Sequence, residues 1–310
     1  MVDDKDRQSI DAAKLYYGSG FSQAEVAARL GLSRPTVSKL LGHALERGFV
    51  TITIHDPRER SDELVAQLTA RFKLADARVV TTPAGGTLLT DLGSAGATLL
   101  EELVHDGMTV GLSWGTTMCS VSEHLRQLPL QGVRVVQLKG GHSHSERSTR
   151  DMETMRAFAR AFNATTELLP LPVIFDSAKA KDWVTRDRHI AGILELGRSV
   201  DLAVFTAGAI APESLALNLG YLSAAETQEI MDHAVGDVCS RFFTRTGTIA
   251  APDVDARTVG ITLADLKGRP TRVLVAGGAE KTQAIRVALE MGLATHLVID
   301  QQTAQRVLDL

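Results

Sequence analysis

The chain has 310 residues, a formal net charge of −4 and 44% hydrophobic residues. This length predicts a small head plus one large domain, and the charge excludes a generally basic nucleic-acid coat protein. No apolar run approaches the ~20 residues of a membrane span, and the polar N-terminus is unlike a signal peptide. Cys119 and Cys239 have no CxxC spacing, so we expect no zinc or other metal site, no disulfide scaffold and a cytoplasmic protein without a membrane partner.

Residues 22–41, SQAEVAARLGLSRPTVSKLL, predict a short helix, a turn at Gly31 and a second helix that begins at Ser33. Ser33 is a typical N-cap, and a proline two residues later is tolerated in the first turn. The predicted inward stripe of the second helix consists of Val37, Leu40, Leu41 and Leu45. The pattern therefore predicts a helix-turn-helix, although an ordinary amphipathic helical hairpin has similar spacing.

The outward side of this segment carries short hydrogen-bond donors and cations, which a helix needs to read base edges and phosphates in the major groove. The expected DNA-contacting residues are Ser22, Gln23, Ser33, Arg34, Thr36, Ser38 and Lys39. From Arg29 to Arg47 four cations face one carboxylate, which gives a local charge of +3. A helical stretch at 10–17 and a strand at 50–54 favour a small winged DNA-binding unit whose partner is double-stranded DNA.

We expect the DNA-binding domain to span residues 1–55, a polar linker 56–62, and an effector-binding and oligomerisation domain 63–310. Short β-branched strands alternate with helical segments in the last of these, which predicts a doubly wound, largely parallel sheet in an α/β domain. The predicted strands are 77–81, 108–113, 133–138, 202–207, 272–276 and 296–300, and the predicted helices include 91–104, 151–162 and 280–291.

Several predicted strands end in turns that are rich in glycine or hydroxyl groups. These turns are Ser113–Thr117, Lys139–Gly141, Ala207–Ala209 and Gly277–Lys281. Ligands of open α/β sheets lie at the carboxyl ends of strands, where backbone N–H groups, hydroxyls and a lysine suit a phosphate. We therefore expect a small phosphorylated ligand, although each turn also fits a plain connection. No turn has the GxGxxG or P-loop spacing, which disfavours a nucleotide.

The segments SWGTTM (113–118), AVGDVCSRFF (234–243) and VAGGAEKTQAI (275–285), behind the N-terminal helix-turn-helix, resemble SorC-family bacterial transcription regulators. VVQLKGGHSHS (135–145), LPLPVIFD (169–176) and TRDRHIAGILELG (185–197) are similar to the branch that controls deoxyribonucleoside breakdown. The resemblance implies a sensing domain related to sugar-phosphate deaminases and isomerases. It also implies a non-enzymatic repressor of a deoxyribonucleoside operon, released by deoxyribose 5-phosphate.

The resemblance also implies roles for single residues. Gly115, Thr116, Thr117 and Lys281 match phosphate-holding positions, Asp237 matches an acidic residue that contacts sugar hydroxyls, and Lys139 matches a position suited to covalent capture of the aldehyde. The complete set of expected effector-binding residues is Ser113, Gly115, Thr116, Thr117, Lys139, Gly140, Gly141, Asp237, Gly277, Gly278 and Lys281.

Lys139 has two interpretations from the residues themselves. Deoxyribose 5-phosphate has no free 5-hydroxyl to close a six-membered ring, so its aldehyde is relatively accessible to a deprotonated amine, which a desolvated site or a second cation such as Lys281 would favour. Alternatively, Lys139 is only a positive charge for phosphate or a sugar oxygen.

Alternatives to the repressor also remain open. One is a sugar-phosphate aldolase or isomerase with a DNA-binding head, in which His142 and His144 would stand beside Lys139. Another is an activator, or a regulator that senses a pentitol or hexose phosphate. Because one recognition helix per half-site binds weakly, we expect a symmetric homo-oligomer, a dimer or tetramer, on a palindromic operator.

Overall fold

A computed structural model of the chain describes residues 4–52, 62–82, 86–146 and 148–310. The chain divides into two compact units, residues 1–56 and 57–310. None of the described helices has both the length and the apolar composition that crossing a membrane requires.

The small unit is helical. It contains α1 (Asp4–Ala13), a π-helical turn (Lys14–Gly18), α2 (Gln23–Leu30) and α3 (Arg34–Glu46). Local capping fixes the two later helices. Ser22 and Glu25 form a reciprocal capping box at the start of α2, and the Ser33 hydroxyl accepts a hydrogen bond from Thr36 N at 3.3 Å at the start of α3. The helix-turn-helix predicted from the sequence is therefore present.

The core of the small unit is built from the inner faces of these helices. Its fully buried members are Ala12, Ala13, Val26, Ala27, Val37, Leu40, Leu41 and Ala44. The prediction that Leu45 belongs to the inward stripe is wrong, because Leu45 is 41% exposed and Ala44 takes that place. The predicted strand at 50–54 is also absent from residues 50–52, whereas residues 53 and 54 lie outside the described part of the chain.

A polar cluster ties α1 to α3. Asp6 is buried, with Oδ1 2.8 Å from His43 Nε2 and Oδ2 3.3 Å from Arg47 Nη2. The hydrogen bond with His43 is the main cause that holds the pKa of Asp6 below its ordinary value. This cluster lets α1 support the helix-turn-helix through charge as well as through apolar packing.

The large unit alternates strands and helices. Its strands are β1 (Asp76–Val80), β2 (Thr109–Leu112), β3 (Arg134–Gln137), β4 (Thr165–Glu167), β5 (Leu202–Phe205), β6 (Ala207–Gly208), β7 (Ala234–Val238), β8 (Arg241–Thr244), β9 (Thr271–Val275) and β10 (His296–Asp300). Its helices are α4 (Asp62–Phe72), α5 (Leu88–Leu103), α6 (Thr116–His124), α7 (Asp151–Ala161), α8 (Ala178–Thr185), α9 (Arg188–Arg198), α10 (Ala224–His233), α11 (Pro252–Arg257), α12 (Leu263–Lys267), α13 (Thr282–Glu290) and α14 (Gln301–Asp309), with short 3₁₀ turns at Leu215–Leu217 and Ala279–Lys281.

Seven strands of the described residues form one parallel sheet in the order β1-β10-β9-β5-β2-β3-β4. Alternate residues of β5 enter two separate apolar clusters, Leu202 and Val204 on one side and Ala203 and Phe205 on the other. Both faces of this strand are therefore covered, as the continuous apolar sequence of the strands predicts. The predicted α/β class and parallel sheet are confirmed.

Three short strands form a second, antiparallel sheet in the order β6-β7-β8, which the sequence did not predict. The predicted strand 202–207 therefore ends earlier, at Phe205, and Ala207 begins β6 instead. Edge strand β4 was also missed, since its residues are short, polar and mostly exposed. The second sheet brings residues 234–244 to the carboxyl end of β5.

Candidate functional site

The exposed side of α3 is the candidate nucleic-acid interface. Arg34, Ser38 and Lys39 are exposed, and within the described part of the chain none of their side chains makes a hydrogen bond or ion pair. The hydroxyls of Ser22 and Ser33 act as helix caps, whereas Gln23 and Thr36 are half-buried at the starts of α2 and α3. Cations that remain unpaired at the N-terminal half of this helix are free to meet a phosphate or a base edge.

The second candidate site lies in the large unit, where four neighbouring strands end. In the sheet β9, β5, β2 and β3 are consecutive, so the turns that follow them emerge side by side. Trp114, after β2, donates from Nε1 to Gly140 O at 2.9 Å, after β3. Asp237 of β7 packs on the β5 turn, because a Cβ atom at Gly208 would lie 2.0 Å from Asp237 Oδ1. Direct contacts therefore join the turn after β2 to the turn after β3, and the turn after β5 to β7.

The turn after β2 leaves hydrogen-bonding groups available. Gly115 is the N-cap of α6, and no side chain among the described residues caps this helix. The hydroxyl of Ser113 is buried, yet it has no hydrogen-bond partner among the described residues. Thr116 is exposed and Thr117 is buried in the first turn of α6. An uncapped helix N-terminus beside hydroxyls is an arrangement that suits an anion.

The turn after β9 differs in how much of its backbone is free. Gly278 N already donates to Asp300 Oδ2 at 2.9 Å and to Thr303 Oγ1 at 3.0 Å, and a Cβ atom at Gly277 would meet the same carboxylate. The candidate cation of this turn is Lys281, whose pKa is lowered by burial, with Glu280 and Asp237 acting in the opposite direction. This turn can therefore offer a ligand the Lys281 ammonium group, whereas the Gly278 N–H is already engaged by the protein.

The turn after β3 is held by the protein itself. Gly140 N donates to Val259 O at 3.4 Å and Gly141 N donates to Leu171 O at 3.1 Å. Both N–H groups therefore donate to backbone carbonyls and are not free to bind a ligand. The same contacts fix the backbone next to Lys139, so the structure gives these two glycines a positioning role.

Lys139 is the central polar group of this region. It is 6% exposed, its Nζ lies 3.6 Å from the centroid of the Trp114 ring, and it donates to Ser240 Oγ at 3.2 Å. Burial lowers the pKa of Lys139, against the opposing charges of Asp237 and the Cys239 thiol. The sequence offered two causes for a deprotonated amine, a desolvated site or Lys281 as a second cation. Desolvation is the cause that lowers the pKa of Lys139, and Lys281 acts on Asp237.

Asp237 is the acidic group of the cluster. It is buried, and its Oδ2 accepts a hydrogen bond from Ser240 N at 3.0 Å. Burial raises the pKa of Asp237, while Lys139, the Ser240 N–H and Lys281 oppose that rise. The cluster therefore contains three groups: the Asp237 carboxylate, which can accept hydrogen bonds from hydroxyl groups, the buried amine of Lys139, and Lys281, a cation that can bind an anion.

Sequence reasoning missed three residues that build this cluster. Trp114 lies in the predicted turn after β2 but was not among the expected effector-binding residues, and its ring faces the Lys139 amine. Ser240 and Gly260 were not expected at the site at all. Ser240 lies three residues after Asp237 in the segment AVGDVCSRFF, which was the available signal, whereas Gly260 reaches Lys139 only through a long-range bridge.

Gly260 allows a close backbone approach at Lys139. Its φ is +122°, and a Cβ atom there would lie 2.3 Å from Leu138 O and 2.6 Å from Lys139 Cα. We expect Gly260→Ala to lower the free energy of unfolding by about 1–3 kcal/mol or more and to displace Lys139. Urea unfolding measures the first effect, and Gly42→Ala, where a Cβ meets no atom of the described residues within 4 Å, is the control. Equal stability of the two variants would contradict the close approach.

The two histidines after Lys139 lie outside this cluster of contacts. His142 and His144 are exposed, and the ring of His144 lies 4.4 Å from that of Tyr221. Within the described residues neither histidine hydrogen-bonds to Lys139. The structure thus places them on the protein surface near Tyr221 rather than at the amine.

Comparisons with known proteins agree with this two-part arrangement. Residues 56–309 match the Sugar-bind family model, which describes a sugar-binding domain, and residues 15–61 match a MarR family model. The chain is 43% identical to the deoxyribonucleoside regulator of Bacillus subtilis (strain 168), over 100% of this chain and 99% of that protein. It is 30% identical to the sorbitol operon regulator of Klebsiella pneumoniae, over 97% and 98% of the two chains.

Solved structures agree as well. The crystal structure of the full-length sorbitol operon regulator SorC from Klebsiella pneumoniae matches with a TM-score of 0.80 and 28% identity, over 99% of each chain. A DeoR family transcriptional regulator from Listeria monocytogenes matches with a TM-score of 0.72 and 25% identity, over 80% of this chain and 99% of that one. The relatives are named as regulators rather than enzymes. This chain therefore belongs to the SorC family of transcriptional regulators, with a helix-turn-helix and a sugar-binding domain.

Proposed function

We propose that the protein is a repressor of a deoxyribonucleoside catabolic operon, released from DNA by deoxyribose 5-phosphate. The observation that carries this proposal is the buried Lys139 amine beside the Asp237 carboxylate, at the same sheet edge as the uncapped N-terminus of α6. The name of the relative in Bacillus subtilis, a deoxyribonucleoside regulator, supports the same class of signal. An aldehyde that carries a phosphate fits this arrangement, because the Lys139 amine suits the aldehyde and the N-terminus of α6 suits the phosphate.

The amine chemistry follows from burial. Because desolvation favours the neutral form of Lys139, its lone pair is available to attack C1 of the open-chain sugar. The N–C1 bond forms and the aldehyde oxygen takes up the first amine proton, which gives a carbinolamine. The new hydroxyl group then leaves as water together with the second amine proton, and an imine remains. In this proposal Asp237 accepts hydrogen bonds from sugar hydroxyls.

The phosphate is assigned to the turns after β2 and β9. Thr116 and Thr117 would donate hydroxyl and N–H groups, Ser113 would gain the hydrogen-bond partner that its hydroxyl lacks among the described residues, and Lys281 would supply the charge. Gly115 and Gly277 would let the backbone approach the anion. Effector binding would lower the affinity for DNA through a higher affinity for the DNA-free state.

A ligand panel tests this proposal against its alternatives. The protein is titrated with deoxyribose 5-phosphate, deoxyribose and sorbitol 6-phosphate while its melting temperature and its release of DNA are followed. We expect the first sugar alone to act strongly, since deoxyribose lacks the anion and a polyol cannot form an imine. A strong response to sorbitol 6-phosphate would support the polyol alternative, and turnover of deoxyribose 5-phosphate would support an aldolase or isomerase.

The helix-turn-helix would read a palindromic operator as part of a symmetric homo-oligomer, either a dimer or a tetramer. One recognition helix contacts too few phosphates and bases to bind tightly, and two-fold symmetry doubles those contacts. Arg34, Ser38 and Lys39 are the side chains assigned to this surface, because they are exposed on α3 and unpaired within the described residues.

Substitutions in α3 test the DNA assignment. On a duplex selected from random sequence by the wild-type chain, we expect Arg34→Ala to weaken binding by ~1–3 kcal/mol if it reads a base. We expect Lys39→Ala to reduce the salt dependence by about one phosphate contact. Arg7→Ala, an exposed arginine of α1, is the control. Unchanged binding in both α3 variants would contradict the assignment.

A further inference from the structure

The turn between β7 and β8 has an unusual composition for its backbone shape. Cys239 and Ser240 both have positive φ, +53° and +61°, between the paired residues Val238 and Arg241. Positive φ at both central residues is the mark of a type I′ hairpin turn, which favours asparagine and glycine. Side chains retained in such a strained conformation call for a reason in their contacts.

Ser240 makes two contacts that tie the cluster together. Its side chain is buried with 1% exposure, and its hydroxyl lies 3.2 Å from Lys139 Nζ. Its backbone N–H donates to Asp237 Oδ2 at 3.0 Å. One residue of the turn thus holds both the amine and the carboxylate, and only the hydroxyl contact requires a serine.

The amine has neighbours on several sides. The Trp114 ring lies on one side, and the Asp237 carboxylate and the Cys239 thiol act on it electrostatically from β7 and its turn. Lys281 acts on Asp237, and Arg241 is turned toward Asp255. Among the described residues, the Ser240 hydroxyl is the side-chain group to which Lys139 Nζ donates a hydrogen bond.

We propose that Ser240 is a positioning residue, whose hydroxyl holds the Lys139 amine in place for attack on the sugar aldehyde. This inference rests on the proposed function and adds a residue that the sequence did not suggest. If the turn had only a structural role, removal of the Ser240 hydroxyl would leave the chemistry of Lys139 unchanged, since the backbone shape does not need a hydroxyl. Truncation of the hydroxyl should therefore change the chemistry of Lys139 while the fold persists.

The test compares Ser240→Ala with Ser122→Ala. Each variant removes one buried hydroxyl of the large unit, and among the described residues the Ser122 hydroxyl only donates to Cys119 O at 2.7 Å within α6, so similar melting temperatures are expected. The first readout needs no sugar: trace acetic anhydride labels the chain from pH 6 to 11, and peptide mapping gives the pH midpoint for Lys139. Loss of a hydrogen-bond acceptor for the ammonium form should lower this midpoint in Ser240→Ala only.

The second readout is the rate at which borohydride traps deoxyribose 5-phosphate on the chain. We expect at least a tenfold slower rate in Ser240→Ala and an unchanged rate in Ser122→Ala. An unchanged rate in Ser240→Ala, or a slower rate with an unchanged midpoint, would overturn the positioning role. A wild-type chain that forms no adduct would instead overturn the imine and the role of Ser240 with it. If Ser240→Ala fails to fold, Ser240→Gly, which suits the positive φ, replaces it.

Discussion

Lys281→Ala is expected to weaken the binding of deoxyribose 5-phosphate by about 30-fold or more, which corresponds to the loss of roughly 2 kcal/mol or more. Lys281 is the cation of the turn after β9, and burial makes its charge count more than that of a surface lysine. Isothermal titration with the sugar phosphate measures the loss. Affinity for DNA without the sugar should stay at the wild-type value, because the small unit is unchanged.

The matched control is Lys267→Ala. Lys267 is exposed at the end of α12, before β9 begins, and so precedes the strand whose far end carries Lys281. We expect this variant to bind the sugar phosphate as the wild type does. A Lys281→Ala protein that still releases DNA at the ordinary sugar-phosphate concentration would remove Lys281 from the phosphate site.

Lys139→Arg is expected to abolish covalent capture of the sugar and to raise the concentration needed for DNA release by at least tenfold. Arginine keeps a positive charge but has no amine that forms an imine, so this variant separates the covalent role from the electrostatic one. DNA release is measured by fluorescence anisotropy of a labelled duplex, across a range of sugar-phosphate concentrations.

Its control is Lys139→Met, which removes both the charge and the amine from nearly the same volume. If charge alone matters, Lys139→Arg should respond to the sugar like the wild type and Lys139→Met should not. A full response in Lys139→Arg would show that Lys139 contributes only its positive charge. The assignment of deoxyribose 5-phosphate would then depend on similarity to relatives alone.

The helix-turn-helix could be predicted because its signals are local. Ser22, Ser33 and Gly31 lie within a few residues of the helix ends that they cap, and the structure uses all three in that way. The same is true of the parallel strands, whose apolar runs need no knowledge of their partners. Leu45 was misassigned because helix periodicity admits either 44 or 45 as the inward position, and packing against α1 and α2 selects Ala44.

The second sheet and much of the site could not be predicted, because they depend on contacts between distant parts of the chain. The turn at Cys239 and Ser240 lacks the glycine or asparagine that marks a hairpin, so β7 and β8 gave no hairpin signal. Lys139 was found from its strand-end turn, but its burial against Trp114 and its bridge to Gly260 arise only in the fold. Asp237 was suggested only by resemblance.

Intact-protein mass measurement after incubation with deoxyribose 5-phosphate and borohydride tests the central claim most directly. The account predicts one sugar phosphate per chain, located by peptide mapping on Lys139, with trapping that rises with pH as the amine becomes neutral. Because burial lowers the pKa of Lys139, this rise should occur at lower pH than for an ordinary lysine. An adduct on a different lysine, or none in a protein that still releases DNA on adding the sugar, would contradict it.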